Sequence, residues 1–375
     1  MKRVSQFGRV LLAFAVSSLV LLAANISFTD DSVSLRTNFF SDSGGLTVQS
    51  PTLQLVKAMA RNTRLSLQYT LDRVNIPPYR GISAKPLPLD GISGASKPAG
   101  TNPNAVYIKN RNEFIASINA TAWNATAYYS TENDYTGRLV GVGFNQDYNQ
   151  KNTSLSLGLS YGFDTISPIG KNTAYTRRNI LATAAVTQTL SPKSILRFGV
   201  DVSRLDGYQS NPYRNVNVAG QYYPERHPQQ RLRAAGYVKL NQHLNPANAA
   251  LWTEYRIYGD DWGILSHTFG LQFYQHLSKR LLMRYRYRYY TQNSADFWRK
   301  DYSLLVRPPK FFTDDYKLEP FNSYLFGFHL SYHLEDLRKN LAIFEHSTVD
   351  VKYERFFTSN NFTANIFQIG LTFEY

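Results

Sequence analysis

The sequence predicts one antiparallel β-barrel, of about sixteen strands, in a bacterial outer membrane. Three observations predict it. The N-terminus has the charge and apolar pattern of an export signal, and polarity alternates with period two from residue 25 onward. The alternating segments are about 9–13 residues long, enough to cross a bilayer at a tilt, whereas strands of soluble proteins centre on about 5–6.

The export reading rests on the first 24 residues. Lys2, Arg3 and Arg9 precede a mostly apolar stretch, Val10 to Ala24, that ends in the small residues Ala23 and Ala24. This stretch is shorter than the roughly 20 residues a spanning helix needs. We assign 1–24 to a signal peptide and 25–375 to the barrel, with a retained anchor as the alternative. Removing the three basic residues of the signal lowers the net charge from +14 to +11. The remaining basic residues are dispersed among aromatics rather than gathered in runs, which argues against nucleic acid as a partner. The chain has no Cys, so disulfides, thiolate metal sites and thiol nucleophiles are excluded.

Alternation is clearest in three places. Leu65, Leu67, Tyr69 and Leu71 alternate with polar neighbours. Leu155, Leu157, Leu159, Tyr161 and Phe163 alternate with Ser and Gly. Phe367, Ile369, Leu371, Phe373 and Tyr375 close the chain in the same rhythm. Residues i and i+2 of a strand share a face, so each segment has one apolar and one polar side. Aromatics such as Tyr128, Tyr129, Phe356 and Phe357 fall at strand ends, where interfacial girdles lie.

Strands are expected at 32–40, 46–58, 63–74, 111–121, 125–134, 136–148, 152–163, 178–190, 194–205, 231–240, 249–259, 264–276, 280–292, 321–333, 347–357 and 363–375. Of these, 46–58 is the weakest, because Pro51 cannot donate to a ladder. The pair 125–134 and 136–148 is joined so tightly that it could project as one hairpin. Short turns fall at every second connection, with 334–346 somewhat longer. The long connections, 75–110, 164–177, 206–230 and 293–320, all belong to the other set. With periplasmic termini, the long set is extracellular. Pro and Gly crowd residues 76–104, which therefore read as loop rather than domain. Closure follows from hydrogen bonding, since no strand edge can face lipid unpaired.

One constellation stands out for chemistry. Arg284, Arg286 and Arg288 alternate with Tyr285, Tyr287 and Tyr289. An Arg facing lipid at mid-membrane costs about 2–4 kcal/mol, so the arginines are expected to face the lumen. Arg64, Arg256, Arg36, Arg197, Lys239 and Lys352 fall on expected lumen faces too, with the acids Asp72, Asp201, Glu254, Asp350 and Glu354. The set reads either as a basic ladder lining an anion path or as a paired network filling the interior. A second group, Asp72, Asp90, Glu132 and Asp134 with Asp164, Asp206, Asp260 and Asp261, sits at expected extracellular ends. Such oxygens can hold a hard cation such as Ca²⁺, or they can form a solvated rim. His329 and His333 share a face but stand about 13 Å apart along the strand, too far to chelate one metal. No catalytic constellation is assigned.

Three motifs are also notable: Asp90-Gly-Ile-Ser-Gly-Ala-Ser96, Ser130-Thr-Glu-Asn-Asp-Tyr135 and Arg288-Tyr-Tyr-Thr-Gln-Asn-Ser-Ala-Asp-Phe297. With the signal and the barrel pattern, they resemble domain of unknown function 3570, a family of predicted outer-membrane β-barrels. The resemblance implies the barrel and its location, and no substrate or catalytic residue. Pro320-Phe-Asn-Ser-Tyr324 departs from the acidic segment expected after the third motif. The motifs' shared position at the extracellular side suggests a common structural cap or ion site.

The leading function class is a channel or transport pore with a basic lumen, because about sixteen strands leave an aqueous interior unless something plugs it. The alternatives are the sheath of a larger envelope complex around a lipoprotein or electron carrier, an outer-membrane enzyme, or a structural barrel. Expected partners are outer-membrane lipids and the barrel assembly machinery, which would read the last strand ending in Phe373 and Tyr375. No cofactor is expected apart from Ca²⁺ at the rim.

Overall fold

A computed structural model describes residues 31–60, 62–78, 102, 104–334 and 347–374. The expected signal peptide, Asp90 with its motif, Tyr375 and most of the 334–346 connection lie outside these residues. The strands are β1 (Ser32–Asp42), β2 (Thr47–Ala60), β3 (Thr63–Ile76), β4 (Tyr107–Asn119), β5 (Trp123–Thr131), β6 (Tyr135–Tyr148), β7 (Thr153–Ile166), β8 (Tyr175–Ser191) and β9 (Ser194–Gly207). There follow β10 (Asn215–Val218), β11 (Gln221–Pro224), β12 (Gln230–Leu244), β13 (Ala249–Asp260), β14 (Leu265–His276), β15 (Leu281–Gln292), β16 (Phe321–His333), β17 (Ser347–Thr358) and β18 (Thr363–Glu374). All except β10 and β11 form one closed antiparallel barrel, in which β1 pairs with both β2 and β18.

Each expected strand is present, with shifted ends. The segment expected at 111–121 begins earlier, at Tyr107, because Lys109 and Arg111 pair across to Val74 and Asp72 and extend the ladder into what reads as loop. The weak 46–58 segment is a barrel strand despite Pro51. The β1 side of Pro51 pairs with Thr37, but the β2–β3 ladder skips Ser50 and Pro51 between Gln49–Arg73 and Thr52–Thr70. The missing N–H thus coincides with a break in the ladder. β5 and β6 do not project as a separate hairpin, since β5 also pairs with β4 and β6 with β7.

Apolar residues turn outward, as alternation requires. Val140, Val142, Leu159, Val200 and Val202 are exposed, on a face that meets acyl chains in a membrane. Buried clusters instead gather at the end where the long connections lie. Two tight turns there share one design. In Asp42-Ser-Gly-Gly-Leu46 and Asp260-Asp-Trp-Gly-Ile264, the Asp Oδ1 accepts the N–H groups of residues two and four further on. Gly45 and Gly263 both take φ of +84°, where a side chain would be strained, and Leu46 and Ile264 are buried behind them.

The 206–230 connection is not plain loop. It contains the hairpin β10–β11, turned through Ala219 and Gly220 at positive φ. Val216 and Val218 on this hairpin pack against Tyr302 and Phe312 from the 293–320 connection. Short bridges join Val218 to Tyr302, Arg226 to Phe312 and Trp298 to Thr313. A second cluster, Trp262, Ile264, Ala295 and Leu318, ties this assembly to the β13–β14 turn. The two long connections therefore form a folded cap with its own apolar core.

Candidate functional site

The cap is anchored by polar contacts that its apolar core makes room for. Glu225 is buried and accepts the Asn211 N–H at 2.5 Å and the Thr313 hydroxyl at 2.7 Å. Arg214 pairs with Asp315 at 2.7 Å. Burial alone would push the Asp315 carboxyl up, but Arg214 and Lys317 hold it below the usual carboxylate range. Asp314 beside it goes the other way, raised by burial. Tyr213 reaches across the mouth, where its hydroxyl donates to Asp134 of the β5–β6 turn at 2.6 Å and accepts the N–H of Ile169, from the β7–β8 connection, at 2.9 Å. Burial, with the hydrogen bond to Asp134, raises the Tyr213 phenol well above its ordinary value.

Between this cap and the inward faces of the strands lies a cavity of about 650 Å³. Lys109, Tyr128, Arg177, Arg231, Arg233 and Tyr290 line it from the barrel, and Tyr213, Glu225 and His227 from the cap. Its charges are largely paired. Lys109 lies 2.5 Å from Glu132 and 2.6 Å from Asp134, Arg111 lies 2.5 Å from Asp72, and Arg177 lies 2.8 Å from Asp164. Arg231 pairs with Asp260 at 2.5 Å and stacks over Trp262 at 4.0 Å. The Nε of Arg233 is buried with no hydrogen-bond partner among the described residues.

Six of the sequence-derived acids at this end, Asp261 and Asp90 not among them, are thus engaged by the protein's own cations. Asp72, Glu132 and Asp134 meet Lys109 and Arg111, and Asp164, Asp206 and Asp260 each meet an arginine. Among the described residues no three His, Cys, Asp or Glu side chains gather to hold a metal ion. The second and third motifs meet here. Ser130, Glu132, Asp134 and Tyr135 line the cavity, as do Tyr290 and Gln292, while Ala295 and Phe297 support the cap.

Deeper in the barrel, Arg284, Arg286 and Arg288 share the inward face of β15 with Tyr290. Register carries this face across to His329, Gly327 and Leu325 on β16 and to Lys352 and Glu354 on β17. Arg286 donates to Glu354 at 2.8 Å. Asp350 is taken by His329 at 2.9 Å, and Glu254 by Lys239 at 3.3 Å. Arg256 stands 3.8 Å from Asp201. Arg284 and Arg288 lie near the rings of Tyr274 and Tyr290 rather than against a carboxylate. Arg64 is inward on β3, opposite Asn119. Tyr237 crosses the interior over Gly199, where an added Cβ would stand 2.2 Å from its ring.

Sequence reasoning did not single out Lys109, Arg111, Arg177, Arg231 or Arg233. Parity on β8 and β12 could have found the last three. Lys109 was hidden in an expected loop, and nothing local marks Glu225.

A closed sixteen-strand barrel with a polar interior and an apolar outer surface defines an outer-membrane β-barrel protein. The chain belongs to the family described as Protein of unknown function (DUF3570), which matches residues 10–180 and 171–356. No curated protein matches it. Among solved structures it is similar to OmpT of Vibrio cholerae with loop L8 deleted, at 10% identity and a TM-score of 0.44, covering 92% of this chain and 98% of that one. It is also similar to the outer membrane protein OpdK of Pseudomonas aeruginosa, at 8% identity and a TM-score of 0.45, with the same coverage. The monoaromatic hydrocarbon channel CymD matches at 10% identity and a TM-score of 0.41, covering 92% of this chain and 88% of that one.

Proposed function

We propose that this barrel is a channel of the bacterial outer membrane that favours small anionic solutes, with its cap on the extracellular side. The observation that carries this reading is the charge of one inward wall. On β12 to β17, Arg231, Arg233, Lys239, Arg256, Arg284, Arg286, Arg288 and Lys352 face inward against Glu254, Asp260, Asp350 and Glu354. Basic groups are twice as many as acidic ones. Guanidinium stays charged at any biological pH, so the surplus is permanent. In a water-filled lumen it raises local anion concentration and repels cations. The pairing of Arg286 with Glu354 weakens this field without cancelling it, because Arg284 and Arg288 keep no carboxylate partner among the described residues. The cavity beneath the cap is the entrance chamber to this wall.

Planar-bilayer recording tests the reading. The purified protein conducts with anion preference, and the triple variant Arg284→Gln, Arg286→Gln, Arg288→Gln folds but loses part of that preference. A folded protein without conductance, purified from native membranes with a stoichiometric lipoprotein, would instead make the barrel a sheath. Conductance with unchanged preference in the triple variant would keep the pore and reject the arginines as its filter.

A further inference from the structure

The outward face of the barrel carries charge where a membrane-facing surface has little use for it. Alternation and register place Arg73, Arg138, Arg178, Arg204 and Arg355 on the same outward parity as the exposed Val140, Leu159 and Val200 of their sheet. Each of the five stands three residues from the end of its strand, and in every case that end is the one carrying the long connections. At about 3.3 Å per residue, they lie within roughly 10 Å of the strand end. At the opposite end the outward face of the strands carries Lys57, which is neutralised by Asp31 at 2.5 Å. The outward basic charge is therefore one-sided.

Three of the five form an arc. In register, Arg138 lies beside Phe163, Phe163 beside Arg178, and Arg178 beside Asp206, which is already paired with Arg204 at 2.9 Å. With strands about 4.8 Å apart, Arg138 and Arg178 stand roughly 10 Å from each other across one aromatic ring. Arg138 lies over the rings of Tyr129 and Phe163, at 5.9 and 5.5 Å, which puts it at the level of an aromatic girdle. Among the described residues the side chains of Arg73 and Arg178 have no hydrogen bond, ion pair or ring contact. Near a membrane interface an outward Arg costs about 0–1 kcal/mol rather than the midplane penalty, so the positions are tolerable. Tolerance alone does not explain why they occur at one end only.

We propose that this arc binds the phosphate groups of an acylated, phosphorylated glycolipid in the outer leaflet. A guanidinium fork matches a phosphate bidentately, and two forks about 10 Å apart suit a headgroup carrying more than one phosphate. The apolar strip immediately below the arc, with Val140, Leu159 and Ile180 exposed, is placed to meet that lipid's acyl chains. The proposal concerns the outer surface alone; it rests on the extracellular orientation proposed above for the capped end, and stands whether or not the lumen conducts.

The test uses the full-length mature protein refolded into vesicles of phosphatidylcholine doped with lipid A, dephosphorylated lipid A or phosphatidylglycerol. Lipid retained after detergent extraction is weighed by native mass spectrometry. Wild-type protein keeps lipid A in preference to the other two. The variant Arg138→Gln, Arg178→Gln, Arg204→Gln keeps about tenfold less, while Lys57→Gln matches wild type. Heat-modifiable migration on gels checks that each variant is folded. Should the triple variant misfold, Arg178→Gln against Arg178→Lys serves: Gln lowers retention more than Lys. Equal retention of lipid A and phosphatidylglycerol, or undiminished lipid A on the folded variants, would overturn the proposal.

Discussion

Two ion pairings at the capped end and two in the middle of the barrel use the same residue types in opposite ways. At the capped end, Lys109 is 4% exposed and clamped between Glu132 and Asp134, and Arg231 holds a fully buried Asp260 at 2.5 Å. In the middle, Lys239 and Glu254 are 44% and 34% exposed at 3.3 Å, and Arg256 and Asp201 are similarly open at 3.8 Å. A buried charge cannot lose its partner cheaply, whereas an exposed pair is screened and contributes about 0–1 kcal/mol. The first set therefore fixes geometry. The second leaves its field available to whatever enters.

Breaking the clamp tests the contrast most strongly. Lys109→Met leaves two buried carboxylates facing each other, and we expect a loss of about 3–5 kcal/mol, read from the urea midpoint of the folded band on gels. Adding Glu132→Gln and Asp134→Asn restores much of it. A single variant as stable as wild type would abolish the distinction. Next in size is Gly199→Val, which collides with Tyr237 and costs about 1–3 kcal/mol in the same assay. That result would show the mid-barrel to be firmly packed even though its charges are loosely held.

Arg256→Gln sharpens the other side of the contrast. Stability should change by less than about 1 kcal/mol while anion preference in bilayers falls. A large stability loss would place Arg256 with the structural pairs. The smallest effect concerns pH. A carboxylate depressed by its partners contributes stability that is complete above its unfolded value, 3.8 for Asp315, and is lost as pH falls through the lower folded value. Asp314, raised by burial, opposes it, gaining as it protonates. Protease resistance of the cap should therefore not fall, and can rise slightly, from neutral pH down to about 4, and weaken only below that. Loosening already near pH 6 would overturn the assignment of this dependence to Asp314 and Asp315.

The barrel was legible because period-two alternation is a local signal that closure does not alter. Leu155 to Phe163 reads outward in the sequence and is outward in the fold. The inward parity of Arg284, Arg286 and Arg288 follows from the same rule. The cap was not legible. β10 and β11 have four residues each, and what makes them strands is Tyr302 and Phe312 some ninety positions away. Nor could sequence say that Glu354 would choose Arg286, or that Asp72 would meet Arg111, since pairing depends on register between strands. The outward arginines were readable by parity, but the physical argument that steers Arg toward the lumen obscures them at strand ends, where the membrane penalty fades.

The seam between β1 and β18 bears on how such a molecule is made. The hydroxyls of Ser34 and Thr372 meet at 2.9 Å although 338 positions separate them. Until that meeting, β1 on one side and the growing edge on the other each expose a full row of unpaired amides, which is a template for association with other chains. Contacts so distant along the chain are also the slowest to form. Every other strand pairing in the barrel can zip from a turn or a neighbouring connection, but this one has no local nucleus. The time to closure, rather than the strength of any pair described above, sets how long the nascent barrel must be kept from its own kind.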